Sequence, residues 1–220
     1  MGMFNKVIIS MCDECVKKLT MERVCKVLPG TEVIDGSKDM EIFYHLQNPD
    51  DNVLLIFDRL FMGYILKYKM EFLRSINPRM KIIFVETGFC VLELGLRLWE
   101  VGADGFICEI EDEKIFNTGI NKIISGAKYF PEIVHTDVKT GNNQNNRRVS
   151  LELTDSEYIV GVYLGKGYTL KEISYATNIP YSTVKTSSSV MKRKIGFKSA
   201  NDLMILNQRL AIFNIRSWAC

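Results

Sequence analysis

Residues 169–196, TLKEISYATNIPYSTVKTSSSVMKRKIG, constrain this chain more than any other stretch. The Thr169 hydroxyl can accept an orphan N–H at the start of a helix. Glu172, three residues on, completes a capping box. Ile173, Ala176 and Thr177 then fall on one face at helical spacing. Asn178 breaks that helix, and Pro180 stands where a second can begin, because proline is tolerated in a first turn. The second helix carries Val184, Met191 and Ile195 inward. Its other side holds Ser182, Thr183, Lys185, Ser187, Ser188, Lys192 and Arg193. Short hydroxyls beside cations suit phosphates and base edges in a major groove. A solvated amphipathic hairpin would share this local pattern, so the wider register must decide.

That register consists of four blocks: LTDSE at 153–157, GKGYTLKEI at 165–173, TVK at 183–185 and KIGF at 194–197. With their spacing they resemble the LuxR/FixJ-type helix-turn-helix, which shows LTxRE, GxSNKEI, TVKxH and KLGV. The likeness covers about a third of the chain. It departs at Ser156 for the usual Arg, Leu170 for Asn and Ser187 for His, and Gly161 lies where a core Leu is common. The resemblance implies double-stranded DNA as a partner. Lys185, Lys192, Arg193 and Lys194 would neutralise phosphates. Ser182, Thr183, Thr186, Ser187 and Ser188 would meet bases or backbone, and Lys171 a flanking phosphate. Hydroxyls discriminate bases less well than Arg or Asn, so sequence choice would lean on spacing, DNA shape or a partner subunit.

Upstream, apolar runs alternate with helical periodicity. KVIIS at 6–10, TEVIDG at 31–36, NVLLIF at 52–57, KIIFVE at 81–86 and GADGFICE at 102–109 read as strands. NVLLIF has the continuous apolar character of a strand covered on both faces. Helices are expected near 12–28, 39–46, 69–76, 91–101 and 113–126. Strands and helices alternating at this spacing predict a doubly wound α/β domain, a five-stranded parallel sheet with helices on both faces. Length, order and the GADGF signal resemble a response-regulator receiver, a flavodoxin-like fold. The expected division is a receiver-like domain at 1–138, a flexible linker at 139–150 (KTGNNQNNRRVS) and an all-α helix-turn-helix domain at 151–220.

Receiver chemistry requires an acidic pair after the first strand to hold Mg²⁺ and an Asp ending the third strand. It also requires a Ser or Thr ending the fourth strand and a Lys ending the fifth. In this register Met11 and Cys12 take the acidic positions, Glu86 the hydroxyl position with Thr87 one residue off, and Glu109 the Lys position. A carboxylate at 109 repels a phosphoryl group rather than pairing with it. Asp58 ends the third strand and reads as a vestigial phosphoacceptor, a structural or solvent-facing Asp. The expectation is a degenerate receiver that acts by protein contact, as a homodimer or a heterodimer with another regulator. In that respect the chain is similar to auxiliary regulators of the RcsA/BglJ kind. A co-regulator that escorts a partner without binding DNA productively is the competing reading. The apolar segment Leu60, Phe61, Met62, Tyr64, Ile65, Leu66, Tyr68 reads as core or as part of a subunit interface, and Trp99 likewise.

Charge supports the division. Residues 147–220 hold 11 Lys+Arg against 5 Asp+Glu, or +6, leaving 17 against 21, or −4, for 1–146. A basic module joined to a mildly acidic one fits a nucleic-acid-binding end with a separate control end. No apolar run approaches a membrane span and no signal-peptide pattern opens the chain, so a cytoplasmic protein is expected. Six cysteines form no disulfide framework. Cys90 and Cys108 read as core, and Cys12-x-x-Cys15 lacks a second pair that would complete a metal site. Two histidines, no nucleophile–base constellation and no phosphate loop speak against an enzyme, and no cofactor is expected.

Overall fold

The computed structural model describes residues 4–11, 13–36, 42, 44–46, 48, 50–58, 66–88, 90, 92–140, 153–165, 167–195 and 197. Its first part alternates β1 (Lys6–Ser10), α1 (Glu14–Val27), β2 (Glu32–Asp35), β3 (Val53–Asp58), α2 (Leu66–Ile76), β4 (Lys81–Val85), α3 (Leu92–Glu100), β5 (Gly105–Ile107) and α4 (Glu113–Ile124). Every strand pairing is parallel, in the order β2-β1-β3-β4-β5. This is the expected five-stranded receiver-like sheet. All six residues of β3 are buried, the apolar Val53–Phe57 run as expected and Asp58 with it.

Strand periodicity sorts the core into two layers. Ile8, Leu55, Phe57, Ile82 and Phe84 face one side with residues of α2 and α3. Val7, Ile9, Leu54, Ile56, Ile83 and Val85 face the other with α1 and α4. Each large aliphatic side chain withdrawn from water contributes on the order of 1.5–3 kcal/mol. The GADGF run has a structural explanation. Buried Asp104 accepts from Arg74 Nη2 (2.7 Å), Lys81 Nζ (3.0 Å) and the Ile82 N–H (2.9 Å), tying α2 and β4 to the entrance of β5. Trp99 is half-buried against the first layer, edge-on to Phe130 at 4.9 Å, which favours its reading as core.

After α4 the chain returns along β5, the Phe106 N–H donating to the Tyr129 carbonyl at 2.7 Å, and enters α5 (Glu132–Thr140). Residues 139–140 therefore belong to a helix rather than to a linker, and 141–152 lie outside the described residues. The segment 59–65 also lies outside them. Leu66, which follows, is buried and opens α2, three residues before the expected start. Of the helix expected at 39–46, Ile42, Tyr44 and His45 are helical, and Ile42 and Leu46 are buried. The last part contains α6 (Asp155–Gly165), α7 (Leu170–Thr177) and α8 (Tyr181–Lys194). Among the described residues, no helix is long and apolar enough to cross a membrane.

Candidate nucleic-acid interface

The basic hairpin folds through local chemistry legible in its residues. Thr169 caps α7. Its Oγ1 accepts from the Glu172 N–H (3.3 Å), and Glu172 Oε2 accepts from the Thr169 N–H (2.7 Å). These contacts, the Thr169 backbone N–H foremost, hold the Glu172 carboxyl below its usual range. The turn follows from Asn178, left-handed at φ 55° and ψ 20°, a conformation that Asn tolerates better than most residues. Ser174 Oγ donates to the Ile179 carbonyl at 2.7 Å, and Ile179 fills the core beneath. Pro180 is the N-cap residue of α8, just outside the helix, and offers no side-chain cap.

Helix α8 turns Val184, Ser187, Ser188 and Met191 inward. Val184 packs with Ile159, Val160, Ile173 and Ile179, and Met191 with Leu153, Tyr158 and Val162. The assignment of Ser187 and Ser188 to the DNA-facing side is therefore corrected. At 8% and 3% exposure they complete the 184, 187, 188, 191 stripe that packs on α6. Hydroxyls read as groove-facing because they are polar, yet their small size suits close helix packing. Gly161 is buried on α6 as well. Of the α7 face shared by Ile173, Ala176 and Thr177, Ile173 is fully buried and Ala176 is exposed.

The outer face of α8 presents Tyr181, Ser182, Thr183, Lys185, Thr186, Ser189 and Arg193, all exposed. Lys171 is exposed on α7. Lys192 is half-buried, its ammonium 5.1 Å from the centre of the Phe197 ring. Lys194 departs from its expected role. Its ammonium donates to Glu157 Oε2 at 2.7 Å, joining the end of α8 to the first turn of α6. Residue type alone gave no hint of that partner, 37 positions away. Two members of the outer face, Ser189 and Tyr181, were missed. Ser189 lies four residues beyond Lys185, and its Oγ donates to the Lys185 carbonyl at 3.0 Å. Counting 185, 189, 193 along a helix would have found it.

In the receiver-like domain, the acidic residues expected around the end of the sheet are placed as follows. Asp58 is buried at 4% exposure, rather than solvent-facing. Its carboxylate accepts from the Asp13 N–H at 3.0 Å, and Asp13 caps α1 through the Cys15 and Val16 N–H groups. Glu109 adopts φ 53°, its N–H donating to the Gly88 carbonyl at 2.7 Å, while the Gly88 N–H donates to the Glu111 carboxylate. The loops that would carry a hydroxyl and a Lys are thus laced together by backbone contacts and carboxylates. Burial pushes the neighbouring Cys108 thiol far up. Cys15 is exposed, and Cys12 lies outside the described residues.

No protein-family model matches the chain. Among curated proteins it is similar to the fimbriae Z protein of Escherichia coli, 24% identical over 132 residues, and to the response regulator protein VraR of Staphylococcus aureus, 28% identical over 130 residues. These matches take in 60% and 58% of this chain but 62% and 60% of the relatives, so the chain spans about six-tenths of the length of the curated relatives. Among solved structures, RcsB from Salmonella typhimurium superposes over 97% of this chain and 100% of its own, with a TM-score of 0.63 at 16% identity. RcsB bound to the promoter rprA superposes over 92% of this chain and 98% of its own, with a TM-score of 0.59 at 15% identity. In sequence the chain is similar to a response regulator, and in fold, a receiver-like sheet followed by a helix-turn-helix, it is similar to RcsB.

Proposed function

We propose that the chain is a bacterial DNA-binding transcription regulator, with a receiver-like domain at 1–138 that acts through dimerisation or partner contact rather than phosphorylation. One observation carries this reading. The inner stripe of α8 is consumed by packing, while its outer face presents Lys185, Arg193 and short hydroxyls, with Lys171 exposed on the supporting helix. Such a face serves phosphates first and bases second. Lys171, Lys185, Lys192 and Arg193 neutralise backbone charge, and Tyr181, Ser182, Thr183, Thr186 and Ser189 lie against the groove. Lys194 instead braces the domain. The similar RcsB has been seen bound to a promoter.

Independence from phosphorylation is supported by Glu109 in place of the Lys, by Met11 in place of an acidic ligand and by the burial of Asp58. Because hydroxyls discriminate bases poorly, the outer face also suits a co-regulator that modifies a partner response regulator without productive DNA binding of its own. Charge reversal at Lys185 and Arg193 separates the two: loss of regulation with partner binding intact supports direct DNA contact. Incubation with acetyl phosphate and Mg²⁺, followed by intact-mass analysis, tests the receiver. An Asp58-dependent gain of one phosphoryl group would sink the phosphorylation-independent reading.

A further inference from the structure

Helix α3 carries an arginine, Arg97, whose guanidinium meets the first turn of α6. Arg97 is buried, yet its guanidinium reaches out of its own domain. Nη1 donates to the Leu153 carbonyl at 2.9 Å, and Nη2 pairs with the Asp155 carboxylate. Its Cζ stands 5.1 Å from the centre of the Tyr158 ring. The same carboxylate also accepts from the backbone N–H of Lys67, in the first turn of α2, at 3.3 Å. Two helices of the receiver-like domain thus converge on one carboxylate in the first turn of α6. Arg and Asp side chains keep only 10% and 19% of their surface in water. A guanidinium so shielded is held by its partners, because stripping one of them leaves a charge stranded away from solvent.

The contacts of Arg97 named above involve no residue of the outer face of α8. Leu153 and Tyr158, which Arg97 touches, pack with Met191 of α8. The stripe of α8 that includes Met191 faces inward, so Lys185, Thr186, Ser189 and Arg193 point to solvent. We infer that Arg97 is a positioning residue for DNA binding. It fastens the start of α6 to the α2–α3 face of the receiver-like domain, so that the recognition face stays open without a phosphoryl signal. This rests on the functional reading above and adds a pre-set domain arrangement to it.

The test uses the full chain and two readouts: affinity for a bacterial promoter fragment, and radius of gyration by small-angle X-ray scattering. The variants are Arg97→Ala, Asp155→Asn and the swap Arg97→Asp with Asp155→Arg. Each single substitution is expected to enlarge the radius of gyration. Each should also weaken DNA binding by about tenfold, because the competent arrangement becomes a minor population. The slope of affinity against salt should stay unchanged, since no phosphate contact is touched. The swap should recover part of both losses, which general destabilisation would not do. An unchanged radius in Asp155→Asn, the milder variant, overturns the clasp, and so does tighter DNA binding by either single variant. A wild-type chain that ignores DNA refutes the functional reading and with it the role of Arg97 in binding. The scattering arm alone still reports whether the clasp holds the domains.

Discussion

Replacing Glu157 by Ala should loosen the helix-turn-helix while leaving the sheet domain intact. Glu157 is 7% exposed and closes two connections at once. Its Oε2 accepts from the Thr154 N–H at 2.9 Å, and Thr154 Oγ1 accepts from the Glu157 N–H at 3.3 Å, a reciprocal cap on α6. It also receives the Lys194 ammonium. Loss of a helix cap costs about 1 kcal/mol. A hydrogen bond to a charged group contributes about 1.5–3 kcal/mol. The Lys194 side chain is 29% exposed and can rehydrate, so the lower end of that range is discounted further. The sum is about 2 kcal/mol. Amide hydrogen exchange reads it directly: peptides covering α6–α8 should exchange about 30-fold faster, since 1.4 kcal/mol is a factor of ten. Peptides from β1, β3 and β4 should not change. Glu157→Gln, which keeps an acceptor for the Thr154 N–H, should fall between. Less than a twofold change in α6–α8, or an equal change in the sheet, would show that Glu157 does not brace the helix-turn-helix.

Lys185→Ala should lower the steepness of log affinity against log salt by about 0.9 per protomer, read by fluorescence anisotropy between low and high salt. Asn178→Gly should be close to neutral, whereas Asn178→Ala should cost about 1 kcal/mol in thermal unfolding, because a side chain without local hydrogen bonding pays for the left-handed backbone. Gly95→Ala places a Cβ about 2.5 Å from Val134 Cγ2, where α3 meets α5, and should lower the melting temperature of the sheet domain. The Glu172 carboxyl is depressed in the folded chain, so its contribution is full above the unfolded value near 4.5 and fades as pH falls through the folded value. Glu172→Gln should therefore flatten part of the acid limb of helix-turn-helix stability.

Much of the fold was legible because single residue types carried it. The apolar VLLIF run that precedes Asp58 suits a strand covered on both faces, as in a parallel sheet, and β3 sits at the centre of one. Thr169, Glu172 and Asn178 each have one local role, and each plays it. The recognition face was read less completely. Ser187 and Ser188 are polar by type but inward by helical phase, and phase is what packing obeys. Lys194 looked like another phosphate ligand because its partner, Glu157, stands 37 residues away. Arg97 gave no signal at all in the sequence, since the carbonyl it meets belongs to Leu153, 56 residues away. Asp58 was placed correctly at the end of its strand, but the backbone N–H it accepts comes from Asp13, 45 residues away.

On this reading the outer face of α8 binds DNA in the unphosphorylated chain. The most direct test measures binding of the purified, unmodified protein to a bacterial promoter fragment across a salt series. Lys171, Lys185, Lys192 and Arg193 predict a slope of roughly −3.6 for one protomer and roughly twice that for a dimer. Binding with such a slope, abolished by charge reversal at Lys185 and Arg193, is the predicted result. A chain that stays free of DNA at low salt, or binds only after treatment with acetyl phosphate, would contradict the account.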